Sequence, residues 1–298
     1  MAVSRKIAPV AEEIRLNAAG VGLRVLRRGN PEAPPLMVLH GFTGCAQTMA
    51  GVSEALADGW RVHALDLVGH GESDAPESPE LYSMERCVDQ VLAAMDSLGL
   101  ERAHFLGYSM GARVALSLAV GAPGRVSSLV LVGVSPGPKD EIARAERVTA
   151  DEALAARILD RGIEAFVDAW MALPLFASQA RLGAEALEIA RKQRLACRPL
   201  GLANSLRGMG SGAMPPLSHR LNELEAPVLL VVGSEDAKFG AIAREMCPRI
   251  PRAEMLEIGE AGHAAHLEQP GAFLAGCRRF LESICPAERE FSRPESPS

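Results

Sequence analysis

The chain has 298 residues and a formal net charge of −6, without the runs of Lys and Arg that would indicate a nucleic-acid or anionic-membrane surface. No apolar stretch approaches the roughly 20 residues that a membrane-spanning helix requires. Six scattered cysteines without a C-x-x-C spacing, and no leading signal peptide, predict reduced thiols and a cytoplasmic location.

Apolar runs alternate with amphipathic segments along much of the chain. Buried strands are predicted at residues 36–39, 60–65, 103–108, 126–132, 227–232 and 255–258. Residues 84–98 carry apolar side chains at three- and four-residue spacing, which predicts a helix with one buried face. A second helix is predicted at 112–120. This alternation is typical of a parallel sheet whose strands are joined by crossover helices.

The pattern changes after the strand at 126–132. Residues 135–224 are rich in Ala, Arg and Glu and show helical patterns with no clear strand, so we predict a helical lid inserted between sheet strands. Residues 1–134 and 225–285 then form one α/β core. The tail at 286–298 is short, polar and proline-bearing, and we predict that it is disordered.

The pentapeptide Gly-Tyr-Ser-Met-Gly occupies residues 107–111, between a predicted strand and a predicted helix. A serine on such a sharp strand-to-helix turn needs small residues on both sides, and Gly107 and Gly111 meet that need. Its hydroxyl then stands clear of the sheet beside a helix N-terminus. We interpret Ser109 as a catalytic nucleophile; a glycine-rich structural turn is the alternative.

Two later strand ends carry the groups that activate such a serine. The strand at 227–232 opens into a turn with Asp236, and the strand at 255–258 leads into a loop with His263. We predict that Asp236 is the acid and His263 the base, with His266 as the competing base. A turn or cap residue and an ordinary loop histidine are the structural alternatives.

A further loop follows the strand at 36–39 and has the sequence His-Gly-Phe-Thr-Gly at 40–44. Such a loop can present a backbone N–H to an oxygen on which negative charge develops. We predict that the N–H groups of Phe42 and Met110 form this oxyanion hole. The alternative for the His40-Gly41 pair is a tight turn.

The three predicted groups follow one another in the order serine, aspartate, histidine. This is the order of the α/β-hydrolases, and it differs from the orders in the chymotrypsin and subtilisin folds. We therefore predict an α/β-hydrolase fold with a mostly parallel central sheet, flanking helices and an inserted helical lid. His70, in the turn after the strand at 60–65, is given a structural role. No cofactor and no metal are predicted.

From about residue 40 to residue 263 the chain resembles the 2-succinyl-6-hydroxy-2,4-cyclohexadiene-1-carboxylate synthase (MenH) family of menaquinone biosynthesis. The segments that carry the resemblance are 40–44, 107–113, 135–137, 146–147, Trp170 with 173–176, 201–210 and 236–239. The arginine after the elbow, the Pro-Leu-Phe segment and the Leu-Arg-Gly-Met-Gly segment are the more specific ones. The chain departs from many members at 45–49, where a tryptophan is missing.

The resemblance implies a lyase reaction rather than hydrolysis. Family members remove a ring proton from 2-succinyl-5-enolpyruvyl-6-hydroxy-3-cyclohexene-1-carboxylate and expel pyruvate. Carried over to this chain, Ser109 activated by His263 is the base, and Asp236 fixes the imidazole tautomer. The N–H groups of Phe42 and Met110 would hold the charge that develops on the succinyl carbonyl oxygen.

The implied substrate is a small tricarboxylate, and an unpaired buried charge is costly, so a closed pocket for it needs fixed cationic partners. The resemblance marks Arg113, Arg147 and an arginine in 191–194 as carboxylate binders. Arg194 is preferred in the last group, and Arg191 is the alternative. Two aromatic residues also match pocket positions of the family, Tyr108 and Trp170.

Three hypotheses remain open from the sequence. The first is the pyruvate-eliminating synthase, and the second is a serine hydrolase that acts on small esters or carbon–carbon bonds with the same three groups. The third is a binding protein that keeps the fold, against which the ordered Ser, Asp and His argue. The lid arginines favour the first hypothesis, because hydrolysis of a neutral ester does not require them.

Overall fold

An eight-stranded sheet organises the chain in the computed structural model, which describes residues 11–285. The strands are β1 Glu12–Ala18, β2 Val21–Arg28, β3 Pro35–Leu39, β4 Arg61–Leu65, β5 Ala103–Tyr108, β6 Val126–Val132, β7 Val228–Gly233 and β8 Ala253–Ile258. Their order across the sheet is β1-β2-β4-β3-β5-β6-β7-β8. From β4 to β8 across the sheet the pairs are parallel, whereas β2 pairs antiparallel with both β1 and β4. The predicted fold class is confirmed.

Helices cover both faces of this sheet. They are α1 Ala50–Leu56, α2 Met84–Ser97, α3 Met110–Gly121, α4 Glu141–Met171, α5 Ala184–Leu195, α6 Pro199–Met209, α7 Ala237–Met246, α8 Ala265–Glu268 and α9 Pro270–Ile284. Apolar residues of α2, α3 and α7 pack in one buried cluster against the sheet. Those of α1 and α9 pack in a second cluster on the opposite face. The core is therefore two apolar layers separated by the sheet.

The six predicted strands and the two predicted helices are all present, with ends that differ by at most two residues. Strands β1 and β2 were not predicted from the sequence. In β1 and β2 charged, polar or glycine residues stand between the apolar ones, so these strands lack the short, mainly apolar runs by which the others were found. Within residues 11–285, no helix is both long and apolar enough to cross a membrane.

The chain between β6 and β7 contains α4, α5 and α6 and no strand. Helix α4 is broken at Gly162, where φ is 78°. Side chains of α4 and α6 form a separate buried cluster that includes Ile158, Phe166, Val167 and Leu202. We propose the lid at 135–224 on this basis, and the separate cluster is its support. The predicted disordered tail at 286–298 lies outside the described residues.

Asp66, at the end of β4, is fully buried and joins three parts of the fold. Its Oδ2 accepts hydrogen bonds from Arg24 Nε and from the N–H of Glu72, both at 2.8 Å. Its Oδ1 accepts one from the N–H of Ala46 at 2.6 Å. Arg24 lies on β2, and Ala46 follows the loop at 40–44. One carboxylate thus holds the antiparallel strand pair, the turn after β4 and the loop after β3 together.

We expect Asp66→Asn to lower the free energy of unfolding by about 3 kcal/mol or more, because Arg24 stays buried without its buried carboxylate partner. Glu72→Gln is the matched control. Its carboxylate also pairs with Arg24, at 2.8 Å, but is 56% exposed, so its loss should cost about 1 kcal/mol or less. Urea unfolding followed by circular dichroism measures both variants. Equal losses would contradict a special role for Asp66.

Candidate active site

Ser109 connects β5 to α3 in a strained backbone conformation, with φ 51° and ψ −103°. Its N–H donates a hydrogen bond to the carbonyl of Val132 on β6, at 2.8 Å. A Cβ atom on Gly107 would lie 2.6 Å from the backbone nitrogen of Ala112, and one on Gly111 would lie 2.3 Å from the carbonyl oxygen of Leu39. The turn therefore has room only for glycine on both sides of the serine, which is the geometry of a nucleophile elbow.

The structure brings the three predicted groups together. His263 Nε2 lies 3.0 Å from Ser109 Oγ, and His263 Nδ1 lies 2.7 Å from Asp236 Oδ2. The other carboxylate oxygen of Asp236 accepts the N–H of Phe239 at the start of α7, at 3.2 Å. A carboxylate only accepts, so Nδ1 carries a proton, and in the neutral imidazole Nε2 is left free to accept the Ser109 proton.

Gly133 follows β6 and lies directly against the base. Its φ is 58°, and a Cβ atom at this position would be 2.6 Å from His263 Cε1. Glycine is therefore needed here for two reasons, the left-handed backbone and the closeness of the imidazole ring. The sequence analysis did not single out this residue, because its role depends on a contact 130 positions along the chain.

The two other histidines considered from the sequence lie elsewhere. His266 is buried, its ring centroid is 4.5 Å from that of Tyr108, and burial lowers its pKa to about 3. It makes no hydrogen bond with Ser109 among the described residues, so the arrangement favours His263 as the base. His70 is also buried, and its Nδ1 donates to the carbonyl of Val68 at 3.0 Å. Its position fits the structural role that was predicted.

The N–H groups of Phe42 and Met110 have no acceptor within residues 11–285, and both residues line the cavity beside Ser109. His40 holds in place the loop at 40–44, which carries Phe42. Its Nε2 accepts the N–H of Leu67 at 3.1 Å, so its Nδ1 donates to the carbonyl of Gly41 at 2.8 Å. Two unpaired N–H donors at the serine are what an oxyanion hole requires.

A cavity of about 860 Å³ opens onto Ser109 and His263. Much of its wall is aromatic, with Phe42, Tyr108, Trp170, Phe176 and Phe239. Burial raises the pKa of Tyr108, so its hydroxyl stays neutral. The Nε1 of Trp170 is buried and has no partner within residues 11–285. Such a donor in a cavity wall is available to a ligand, since a buried N–H without an acceptor is unfavourable.

Two of the predicted arginines line this cavity. Arg113 donates to the carbonyl of Met209, and within the described part of the chain it forms no ion pair with a carboxylate. Burial lowers the pKa of Arg113 to about 10, which leaves it charged near neutral pH. Arg147 instead makes a bidentate pair with Asp151, whose side chain is 5% exposed. Arg113 is therefore an arginine of the inner wall whose charge no carboxylate neutralises within residues 11–285, whereas Lys238 and Arg249 are exposed at the cavity rim.

The third predicted arginine is not among the residues that line the cavity. The guanidinium of Arg194 lies 5.9 Å from the ring centroid of Phe176, and its Nη1 donates to the carbonyl of Ala190 at 3.0 Å. The alternative, Arg191, pairs with Asp168 at 3.0 Å near the surface. The structure thus places Arg194 one side chain away from the cavity and Arg191 farther toward solvent.

Several charged residues of the cavity wall were not predicted from the sequence. Asp151 follows the predicted Arg147 by four positions, and Lys238 follows Asp236 by two. Lys139 and Arg249 also line the cavity, and Lys139 pairs with Glu245 at 3.2 Å. Two signals could have found some of them: the i,i+4 spacing of Asp151 from the predicted Arg147, and the closeness of Lys238 to the predicted acid.

Comparisons with known proteins agree with this geometry. Residues 34–270 match the model of the α/β hydrolase fold family. A Bacillus subtilis (strain 168) protein provisionally named 2-succinyl-6-hydroxy-2,4-cyclohexadiene-1-carboxylate synthase is 42% identical over 265 residues, which cover 89% of this chain and 96% of that protein. The synthase of the same name from Serratia proteamaculans (strain 568) is 30% identical over 87% of this chain and 97% of its own length.

Among solved structures, MenH from S. aureus superposes with a TM-score of 0.84 and 34% identity, covering 88% of this chain and 98% of that one. An esterase from Thermogutta terrifontis, 25% identical, superposes with a TM-score of 0.82 over 92% of this chain and 99% of its own. The chain therefore belongs to the α/β-hydrolase fold family and, within it, to the 2-succinyl-6-hydroxy-2,4-cyclohexadiene-1-carboxylate synthases.

Proposed function

We propose that this protein is a lyase of menaquinone biosynthesis that converts 2-succinyl-5-enolpyruvyl-6-hydroxy-3-cyclohexene-1-carboxylate into 2-succinyl-6-hydroxy-2,4-cyclohexadiene-1-carboxylate and pyruvate. The observation that carries the proposal is the hydrogen-bonded chain Ser109, His263 and Asp236, which opens onto a cavity with an unpaired arginine. Membership of the synthase family supports the substrate. The cytoplasmic location stays a prediction.

The reaction begins with the ring hydrogen next to the succinyl carbonyl. Ser109 Oγ takes this proton while its own proton passes to His263 Nε2, and Asp236 stabilises the imidazolium that forms. The negative charge that develops on the carbonyl oxygen is held by the N–H groups of Phe42 and Met110.

The electron pair then shifts through the ring double bond and breaks the carbon–oxygen bond to the enolpyruvyl group. The group that leaves is the enolate of pyruvate, which takes up one proton to give pyruvate. One proton leaves the ring and one is returned to the leaving group, so no water is consumed. His263 becomes neutral again when it gives up its proton.

The cavity wall supplies partners for the carboxylates of the substrate. Arg113 lies one helical turn after Ser109. No side chain within residues 11–285 neutralises its charge by an ion pair. Arg147 is charged as well but shares its charge with Asp151. We propose that Arg113 and Arg147 bind carboxylates directly and that Arg194 does so from beside Phe176. Tyr108 and Trp170 would form the wall against which the ring lies.

Replacement of the serine is the first test. We expect Ser109→Ala to lower kcat by about a thousandfold or more, because the alanine cannot relay the proton to His263. Its far-UV circular dichroism should match that of the unchanged protein, and its thermal midpoint should stay within a few degrees. Diene absorbance and pyruvate release report the rate. A Ser109→Ala protein of normal activity would falsify the proposed roles of the three groups.

Replacement of the arginines tests the binding of carboxylates. Arg113→Met should lower kcat/KM by roughly 10- to 150-fold, the effect of losing a charge-assisted hydrogen bond. Arg191→Met is the matched control and should change kcat/KM less than about twofold, since surface ion pairs contribute little. A loss of the same size in both variants would mean that Arg113 acts through the general charge of the protein.

Arg147 needs a second variant, because its removal leaves Asp151 buried without its ion-pair partner. We expect Arg147→Ala to lose thermal stability as well as activity, since an unpaired buried charge is costly. The double variant Arg147→Ala/Asp151→Asn should regain much of the stability and keep the loss in kcat/KM. Recovery of both by the double variant would show that Arg147 serves only to neutralise Asp151.

A search for a covalent intermediate separates the lyase from the serine hydrolase that the same three groups allow. An elimination leaves Ser109 unmodified, whereas ester hydrolysis passes through an acyl-serine. During turnover of the enolpyruvyl substrate, rapid-quench mass spectrometry should find only unmodified Ser109, with one pyruvate released for each diene formed. A trapped acyl group on Ser109 would favour the hydrolase, and p-nitrophenyl esters as substrates provide the positive control for trapping.

A further inference from the structure

Glu268 closes the short helix α8, five residues after His263, and its side chain is only 3% exposed. Its Oε2 accepts the N–H of Gly262 at 2.8 Å, and its Oε1 accepts the N–H of Ala264 at 3.3 Å. Gly262 and Ala264 are the two chain neighbours of His263. One buried carboxylate therefore holds the backbone on both sides of the histidine that contacts Ser109.

The loop before His263 is held in a different way. The carbonyl of Ala261 accepts the N–H of Glu235 at 2.9 Å, and the N–H of Glu260 donates to Ser234 Oγ at 3.1 Å. These bonds tie the first part of the loop to the turn that carries Asp236. This pairing ends at Ala261. From Gly262 to Ala264 the backbone of the loop is held by the carboxylate of Glu268.

The surroundings of Glu268 supply little other compensation for its charge. Arg181 Nη2 lies 3.8 Å from Oε2, and its side chain is 52% exposed. The same guanidinium donates to Glu235 at 3.0 Å and to the carbonyl of Glu260 at 3.1 Å. A buried carboxylate is tolerated only when hydrogen bonds satisfy its oxygens, so the two N–H groups beside His263 are the main reason that Glu268 can be buried there.

We propose that Glu268 is the positioning residue of the base: its carboxylate fixes the main chain around His263 and so keeps the imidazole between Asp236 and Ser109. This role rests on the proposed function of His263 as the base. It requires a carboxylate, because each of the two oxygens receives one N–H. The side-chain amide of glutamine has one acceptor oxygen and an NH₂ group that would face the second N–H. Glutamine can therefore satisfy only one side of the histidine.

The test compares Glu268→Ala and Glu268→Gln with the matched control Glu260→Ala, in the full chain. Glu260 is an exposed glutamate of the same loop, and its side chain makes no hydrogen bond within residues 11–285. Two quantities are measured, kcat and KM for the enolpyruvyl substrate and the low-field proton NMR resonance of the hydrogen bond between His263 and Asp236. Asp236→Ala assigns that resonance by abolishing it.

We expect Glu268→Ala to lower kcat by about 100-fold with KM within about threefold, since displacement of a base by about 1 Å has an effect of this size. The low-field resonance should broaden or disappear although the circular dichroism spectrum is retained. Glu268→Gln should fall between Glu268→Ala and the unchanged protein in both measurements. Glu260→Ala should match the unchanged protein.

A Glu268→Ala protein with kcat within threefold of normal, or with a sharp resonance at its original position, would overturn the proposal. If Glu268→Ala does not fold, Glu268→Gln decides by the same two measurements. Failure of both variants to fold would assign Glu268 to the stability of the whole domain and would also overturn it. The resonance does not involve the substrate. An unchanged protein that shows it but releases no pyruvate would refute the proposed function and leave the role of Glu268 standing.

Discussion

The backbone of Ser109 is the constraint on which the arrangement of the site depends. A φ of 51° with a ψ of −103° is unfavourable for a residue with a side chain, and it persists only where the surroundings leave no alternative. Here the carbonyl of Val132 on β6 accepts its N–H, and Gly111, which has no side chain, allows α3 to lie directly against the end of β3. Three strands and one helix therefore fix the serine. Because these strands are parallel, their carboxyl ends lie at the same edge of the sheet. The loop at 40–44 and the start of the segment at 135–224 therefore lie beside Ser109.

Charge is arranged in this site by pairing some groups and leaving others unpaired. Asp236 is matched by the imidazole and a helix N-terminus, and Asp151 is matched by Arg147. Arg113 is left without a carboxylate partner within the described residues, a half-buried guanidinium beside largely aromatic walls. Electrostatic attraction is stronger where aromatic side chains exclude water. A carboxylate of the ligand would complete the set, and a neutral ester would leave the guanidinium without a partner.

The sequence was sufficient to predict those parts of the protein whose structure is determined by a few neighbouring residues. The elbow could be found because its turn needs glycine at two fixed positions, and the six parallel strands because each contains a short, mainly apolar run. β1 lies at the edge of the sheet, where exposure removes that signal, and in β2 glycine and arginine residues interrupt the apolar run. Asp151 and Glu268 were not found, because their importance comes from the burial of their carboxylates, which the sequence does not show, although their partners Arg147, Gly262 and Ala264 lie within six positions. A Cβ atom on Gly210, for example, would lie 2.5 Å from Asp151 Oδ2.

The closeness of Gly133 to the imidazole has a consequence for how this fold diversifies. Gly133, which lies against His263, comes just before the helical segment at 135–224. If related enzymes exchange this segment by recombination, the junction between the two parent sequences therefore falls beside the base. A crossover point placed before Gly133 would import whatever residue the donor carries there, and any side chain would displace the ring from Ser109. A crossover placed after it preserves the ring. Recombined enzymes of this family should therefore keep both Gly133 and His263, whichever helical segment they carry.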